Sequence, residues 1–135
     1  MVFPIQSASS APAHTAPPLR VATAGEALFD LIEEPDGRLK PCAGGAVYNL
    51  TRALGLQGVG TLYLNPLSGD MLGRQLAHGL HDAGVALAFP TPVRAPSALA
   101  LAALDTEGKA SYSFYRDGVA DRQVTAAALT AACAA

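Results

Sequence analysis

The stretch GGAVYNLTRALGLQGVGTLYLNPLSGDMLGRQLAHGLHDAG, residues 44–84, decides the fold. It opens on Gly44-Gly45 and then places Val47, Leu50 and Leu54 at helical spacing, with Gly58 as a stop. The spacing predicts an amphipathic helix whose first turn carries Asn49 nearly opposite the apolar stripe, free to face a ligand or water. A strand is expected from Thr61 to Leu67, followed by Ser68-Gly69-Asp70, whose side chains can cap a helix. In that second helix Leu72, Leu76 and Leu80 recur every four residues before Gly84 ends it. Helix, strand and helix joined by short connections argue for parallel βαβ units.

Upstream, a buried strand is expected from Leu19 to Ala24 and a second extended piece from Leu28 to Glu34. Pro35-Asp36-Gly37 supplies a turn, because Pro presets φ and Gly accepts positive φ, and a short strand over Arg38 to Pro41 would complete a hairpin. Downstream, after Val85 to Phe89 and the Pro90-Thr91-Pro92 break, two apolar runs, Ala98 to Leu104 and Ala110 to Tyr115, flank Asp105 to Gly108 as a second hairpin. The alanine-rich run from Thr125 to Ala135 reads as helical, with no cap or glycine terminator, and suggests a chain cut at this end.

Half of the 135 residues are apolar and 15% are charged, which fits one globular unit. A net charge of −2 gives no broad attraction to phosphate backbones or anionic lipid, so neither nucleic acid nor a membrane is an expected partner. Residues 1–19 are rich in Pro, Ala and Ser, lack the basic and apolar regions of a signal peptide, and are expected to be a disordered leader. Cys42 and Cys133 match no metal or redox spacing and are expected to be buried or idle thiols. His78 and His81 lie three residues apart on the second helix and could share a metal. With Arg74 they fall opposite the leucines, where a solvated polar face is expected.

Four blocks, GEALFD (25–30), GGAVYN (44–49), SGDMLG (68–73) and SFYRDGVAD (113–121), stand in an order and spacing that resembles the N-terminal portion of a PfkB/ribokinase-type carbohydrate kinase, fructokinase-like in its last block. The resemblance runs from about Val21 to Asp121. It implies an α/β fold, a ribokinase-like parallel sheet core flanked by helices with a small β lid, truncated at the C-terminal side. Residues 20–135 would form that N-terminal part of the kinase domain, and the extended pieces at Leu28–Pro41 and Ala98–Tyr115 would build the lid.

By the same likeness, Asp30 would accept hydrogen bonds from sugar hydroxyls, which suits an ionised carboxylate. Gly44 and Gly45 match the diglycine that lets backbone approach the substrate and the lid pivot, and Asn49 matches a sugar-contacting amide. Arg116 resembles an arginine that some members direct at the sugar, acidic sugars especially, although Phe114 stands where acidic-sugar kinases often carry Tyr. Ser68-Gly69-Asp70 departs from the commoner Gly-Asp-Asp, and Gly55 adds an internal glycine to the first helix; both read as subgroup variation.

The family's catalytic base lies in a Gly-Ala-Gly-Asp block beside an anion-binding helix N-terminus, and neither that block nor a GxxxxGK[ST] phosphate loop occurs here. The expectation is therefore a sugar kinase acting with ATP and Mg²⁺, of which this chain holds the sugar side without catalytic, nucleotide or metal residues. Fructose leads as substrate, followed by 2-keto-3-deoxygluconate, ribose or a nucleoside. The alternative is a non-catalytic sugar-binding or dimerisation module associating through its lid strands as a homodimer. A cytoplasmic location is expected.

Overall fold

The computed structural model describes residues 17–104 and 109–134; most of the expected leader, the 105–108 loop and Ala135 lie outside the described residues. In chain order the elements are β1 (Val21–Thr23), β2 (Leu28–Glu33), β3 (Leu39–Gly44), α1 (Ala46–Leu56), β4 (Thr61–Tyr63), α2 (Met71–Asp82), β5 (Ala86–Leu87), β6 (Ala98–Leu104), β7 (Ala110–Tyr115), a 3₁₀ turn (Ala120–Arg122) and α3 (Ala126–Ala134). They form two sheets. One is parallel, ordered β1-β4-β5, and the other is four-stranded, ordered β3-β2-β6-β7.

The parallel sheet arises because α1 and α2 each carry the chain back between strands, aligning Val21 with Thr61 and Leu62 with Ala86. In the second sheet β2–β3 and β6–β7 are antiparallel hairpins, as expected, and they join through a parallel β2–β6 contact that sets Leu28 beside Ala98. The layout is the expected parallel core with a separate β lid.

The core gathers Ala27, Phe29, Tyr48, Tyr63, Leu67, Leu76, Leu80, Ala83 and Val85. A smaller cluster, Leu28, Ala98, Ala100 and Val119, sits at the base of the lid. Leu76 and Leu80 point inward as their spacing requires, and Asp70 caps α2 by accepting a 2.7 Å hydrogen bond from the Gly73 amide. The inward face of α1 differs from expectation. Leu50 is 54% exposed, whereas Tyr48 and Thr51 are buried, because Tyr48 reaches the Leu76 carbonyl on α2 and Thr51 shares a 2.8 Å hydrogen bond with Thr23 on β1. Hydrogen-bonding partners, not hydrophobicity alone, fix the rotation of this helix.

Strand β3 runs three residues further than expected, to Gly44; Pro41 is tolerated because β3 is an edge strand. Strand β4 is shorter than expected, ending at Tyr63; Pro66 has no amide to donate to a longer ladder. Cys42 is half-buried and Cys133 exposed, and both are free thiols.

Gly55 is where α1 meets the end of α2: a Cβ there would strike the Ala83 carbonyl oxygen and lie 2.7 Å from Val85 Cγ2. In an exposed helix Gly→Ala stabilises by about 1 kcal/mol. Here Gly55→Ala is expected to lower the unfolding free energy by about 1–3 kcal/mol, measured by urea denaturation, because backbone must shift to admit the methyl.

Candidate functional site

The chain leaves the parallel sheet for the lid through Gly25-Glu26-Ala27. The Gly25 amide donates to Asn65 Oδ1 and its carbonyl accepts from the Tyr63 hydroxyl, both at 2.7 Å. The Ala27 amide donates to Asp121 Oδ2 at 3.3 Å, and Asn65 Nδ2 donates to the Asp121 carbonyl at 2.7 Å. Burial pushes the Tyr63 phenol well above its usual range, which keeps it a donor.

Glu26 holds three partners. Its Oε1 accepts from the Ala46 amide and its carbonyl from the Tyr48 amide, each at 3.1 Å, while Oε2 pairs with Arg116 Nη1 at 2.9 Å. The residue at the α1 N-cap, Gly45, has no side chain to cap with, so the Glu26 carboxylate takes that place at the positive end of the helix. Gly45 has φ 103°, and a Cβ there would lie 2.9 Å from the Glu26 carbonyl oxygen. The second glycine of the pair is therefore required by both conformation and space.

The first glycine has a different reason. A Cβ on Gly44 would fall onto Oδ2 of Asp30. Asp30, in the middle of β2 opposite Cys42, lays its half-buried carboxylate over that gap. No donor among the described residues reaches it. Asn49 is exposed in the first turn of α1, its amide donating to the Gly45 carbonyl at 3.0 Å and its side chain unoccupied among the described residues. Asp30, Gly44, Gly45 and Asn49 are thus joined in one run from lid strand to helix N-terminus, and Arg116 joins them through Glu26.

Arg116 is partly buried and its Nε has no partner among the described residues. Asp121 is buried, with Oδ1 equally unpartnered. Burial raises its pKa, opposed by the hydrogen bond from Ala27 and by the Arg116 and Arg122 charges. Asp70 shows the reverse balance. Burial would raise it, but hydrogen bonds from Gly73 and from the Ser97 amide and hydroxyl hold it below its ordinary value.

Sequence reasoning missed Glu26, Asn65 and Asp121. Glu26 and Asp121 lay inside quoted blocks without a role, and Asn65 stood as a lone amide in the apolar run YLNPL, which is the pattern of a satisfied buried polar group.

The two aspartates act in separate pH windows. The folded state binds the Asp121 proton more tightly than the unfolded chain does, so stability falls as pH rises from the ordinary 3.8 through the raised value. The stabilisation from Asp70 is lost only as pH falls below 3.8. As pH rises from 3.8, wild-type unfolding free energy is expected to decline relative to Asp121→Asn, which keeps an acceptor for Ala27 but does not titrate. Parallel urea-denaturation profiles of the two proteins across that range would contradict this assignment.

No family model matches the chain. The fructokinase of Rhizobium leguminosarum bv. trifolii is 34% identical over 109 residues, covering 78% of this chain and 33% of that protein. The crystal structure of fructokinase from Xylella fastidiosa superposes with a TM-score of 0.73 at 32% identity over 80% of this chain and 37% of that one, and the same enzyme has been solved with bound ATP. A PfkB protein from Polaromonas, 20% identical, shares the fold with a TM-score of 0.70 over 82% of this chain and 40% of its own. The chain spans about a third of the length of the curated relatives it matches. Sequence identity and superposition together show that this chain belongs to the PfkB/ribokinase-type carbohydrate kinase family, beside its fructokinase-like members.

Proposed function

We propose that the chain forms the sugar-binding and lid portion of a kinase that transfers a phosphoryl group from ATP to a hydroxyl of fructose or a related neutral keto sugar. The observation that carries this reading is the Asp30 carboxylate, seated over Gly44 with no donor among the described residues. An acceptor-only group left free beside an exposed amide, Asn49, suits a ligand that offers vicinal hydroxyls. Arg116 is paired with Glu26, which favours a neutral sugar over an acidic one needing an unoccupied guanidinium. The relatives named fructokinase support the same substrate class.

Phosphoryl transfer depends on positioning and on charge stabilisation around the nucleotide phosphates and their metal. Nucleotide and Mg²⁺ belong elsewhere on this reading. Among the described residues the three-donor cluster is His78, His81 and Asp82, and two imidazoles are a poor match for an ion that prefers oxygen. No Gly-Ala-Gly-Asp block supplies a base, so residues 1–135 alone are expected not to turn over ATP. No helix is long and apolar enough to cross a membrane among the described residues; a cytoplasmic location belongs to the same reading.

A second role is favoured by strand β7, an edge of the lid sheet. Tyr112 and Phe114 stack there with centroids 6.1 Å apart, and both are about 60% exposed, as is Tyr115. An apolar edge of this kind suits association between copies of the chain.

Two experiments test these readings. Fructose titrated into the ¹⁵N-labelled chain is expected to shift amides around Asp30 and Asn49, with Asp30→Ala weakening affinity at least about tenfold for loss of a charged acceptor. Shifts that are absent, or unchanged in Asp30→Ala, would remove the sugar assignment, and measurable ATP turnover by this chain would refute the missing-base account. In light scattering, the chain is expected to associate with rising concentration and Phe114→Glu to stay monomeric; a wild-type monomer at every concentration rules the association out.

A further inference from the structure

The outer face of α2 brings together three metal-ligating side chains that the sugar site does not use. His78, His81 and Asp82 stand at relative positions 0, 3 and 4, one helical turn, and their ligand atoms all lie within 4.8 Å of one another. His78 Nε2 is 3.3 Å from Asp82 Oδ2, and His81 Nδ1 is 3.6 Å from Asp82 Oδ1. Ligand atoms around an ion with bonds near 2.1 Å are separated by roughly 3.0–3.5 Å, so each imidazole already stands near ligand spacing from one of the two Asp82 oxygens. Beyond Asp82, neither imidazole has a partner among the described residues.

We infer that His78, His81 and Asp82 form a surface site for a divalent transition-metal ion of the zinc class. Two imidazoles and one carboxylate are the donor set of borderline ions and discriminate against Mg²⁺ and Ca²⁺, which prefer all-oxygen shells. The scaffold is fixed: α2 is capped by Asp70 and anchored through buried Leu76 and Leu80, so the backbone carrying the donors is ordered before any ion arrives. His81 lies in the last turn of the helix, at the negative end of its dipole, which favours a cation. The side chains of His78, His81 and Asp82 are 76%, 86% and 56% exposed, so rotations can bring both nitrogens and the carboxylate onto one ion and water can complete the shell. Such a site exchanges its ion with solvent and is separate from the sugar-binding residues.

Isothermal titration of zinc chloride into the full 135-residue chain tests the site. One zinc per chain is expected, with His78→Gln/His81→Gln weakening it by about tenfold or more and millimolar Mg²⁺ failing to displace it. Both substituted positions are exposed, so circular dichroism melting of the variant is expected to match wild type. A wild-type chain that takes up no zinc, a double variant that retains full affinity through Cys42, Cys133 or His14, or displacement by Mg²⁺ would each overturn the inference.

Discussion

A three-residue crossing, Gly25-Glu26-Ala27, carries the chain from the parallel sheet into the lid, and it faces a constraint that shapes everything around it. Buried peptide groups outside a strand ladder must find partners one by one. Asn65 and Tyr63 serve Gly25, the Tyr48 amide serves the Glu26 carbonyl, and Asp121 serves the Ala27 amide. These partners come from β4 and its extension, from α1, and from the segment after β7. The Glu26 side chain adds the α1 N-terminus and Arg116 to the same point. Core, first helix and both lid hairpins are therefore registered to one another at a single crossing.

That arrangement explains the division of labour among the acidic groups. Glu26 and Asp70 are structural: one caps α1 from outside the helix, the other caps α2 and holds Ser97 at the start of the lid. Asp121 is buried with one oxygen unpartnered, where the carboxylate costs more to ionise. Asp30 alone among them accepts no hydrogen bond and makes no ion pair among the described residues, and the absence of a side chain at Gly44 gives it room.

Much of the architecture was legible in the sequence because it rests on periodicity and turn chemistry. The leucines of α2, Gly84 after it, and the bounds of β6 and β7 follow from spacing alone. The rotation of α1 did not, since Thr51 looks polar until its partner Thr23 is placed on a neighbouring strand. The length of β4 did not either: Leu64 and Leu67 are apolar and buried like strand residues, but they lie outside the ladder, and Pro66 has no amide to give it. Asp30, Gly44, Gly45 and Asn49 were named from motif likeness, whereas Glu26 emerged only when two segments some twenty residues apart were seen to meet. A side chain that caps a helix it does not belong to leaves no local signal.

The parallel pairing of β2 with β6 has a consequence for how the molecule assembles. Leu28 and Ala98 are neighbours across that ladder, yet α1, α2 and two of the parallel strands, β4 and β5, lie between them in sequence. Closing so long a loop carries an entropic cost that only prior collapse of the intervening segment reduces. Each hairpin can zip locally, but the lid exists as one sheet only after the core has brought the hairpins side by side. The lid sheet is thus the last part of the molecule to form and the first exposed to loss when the core loosens.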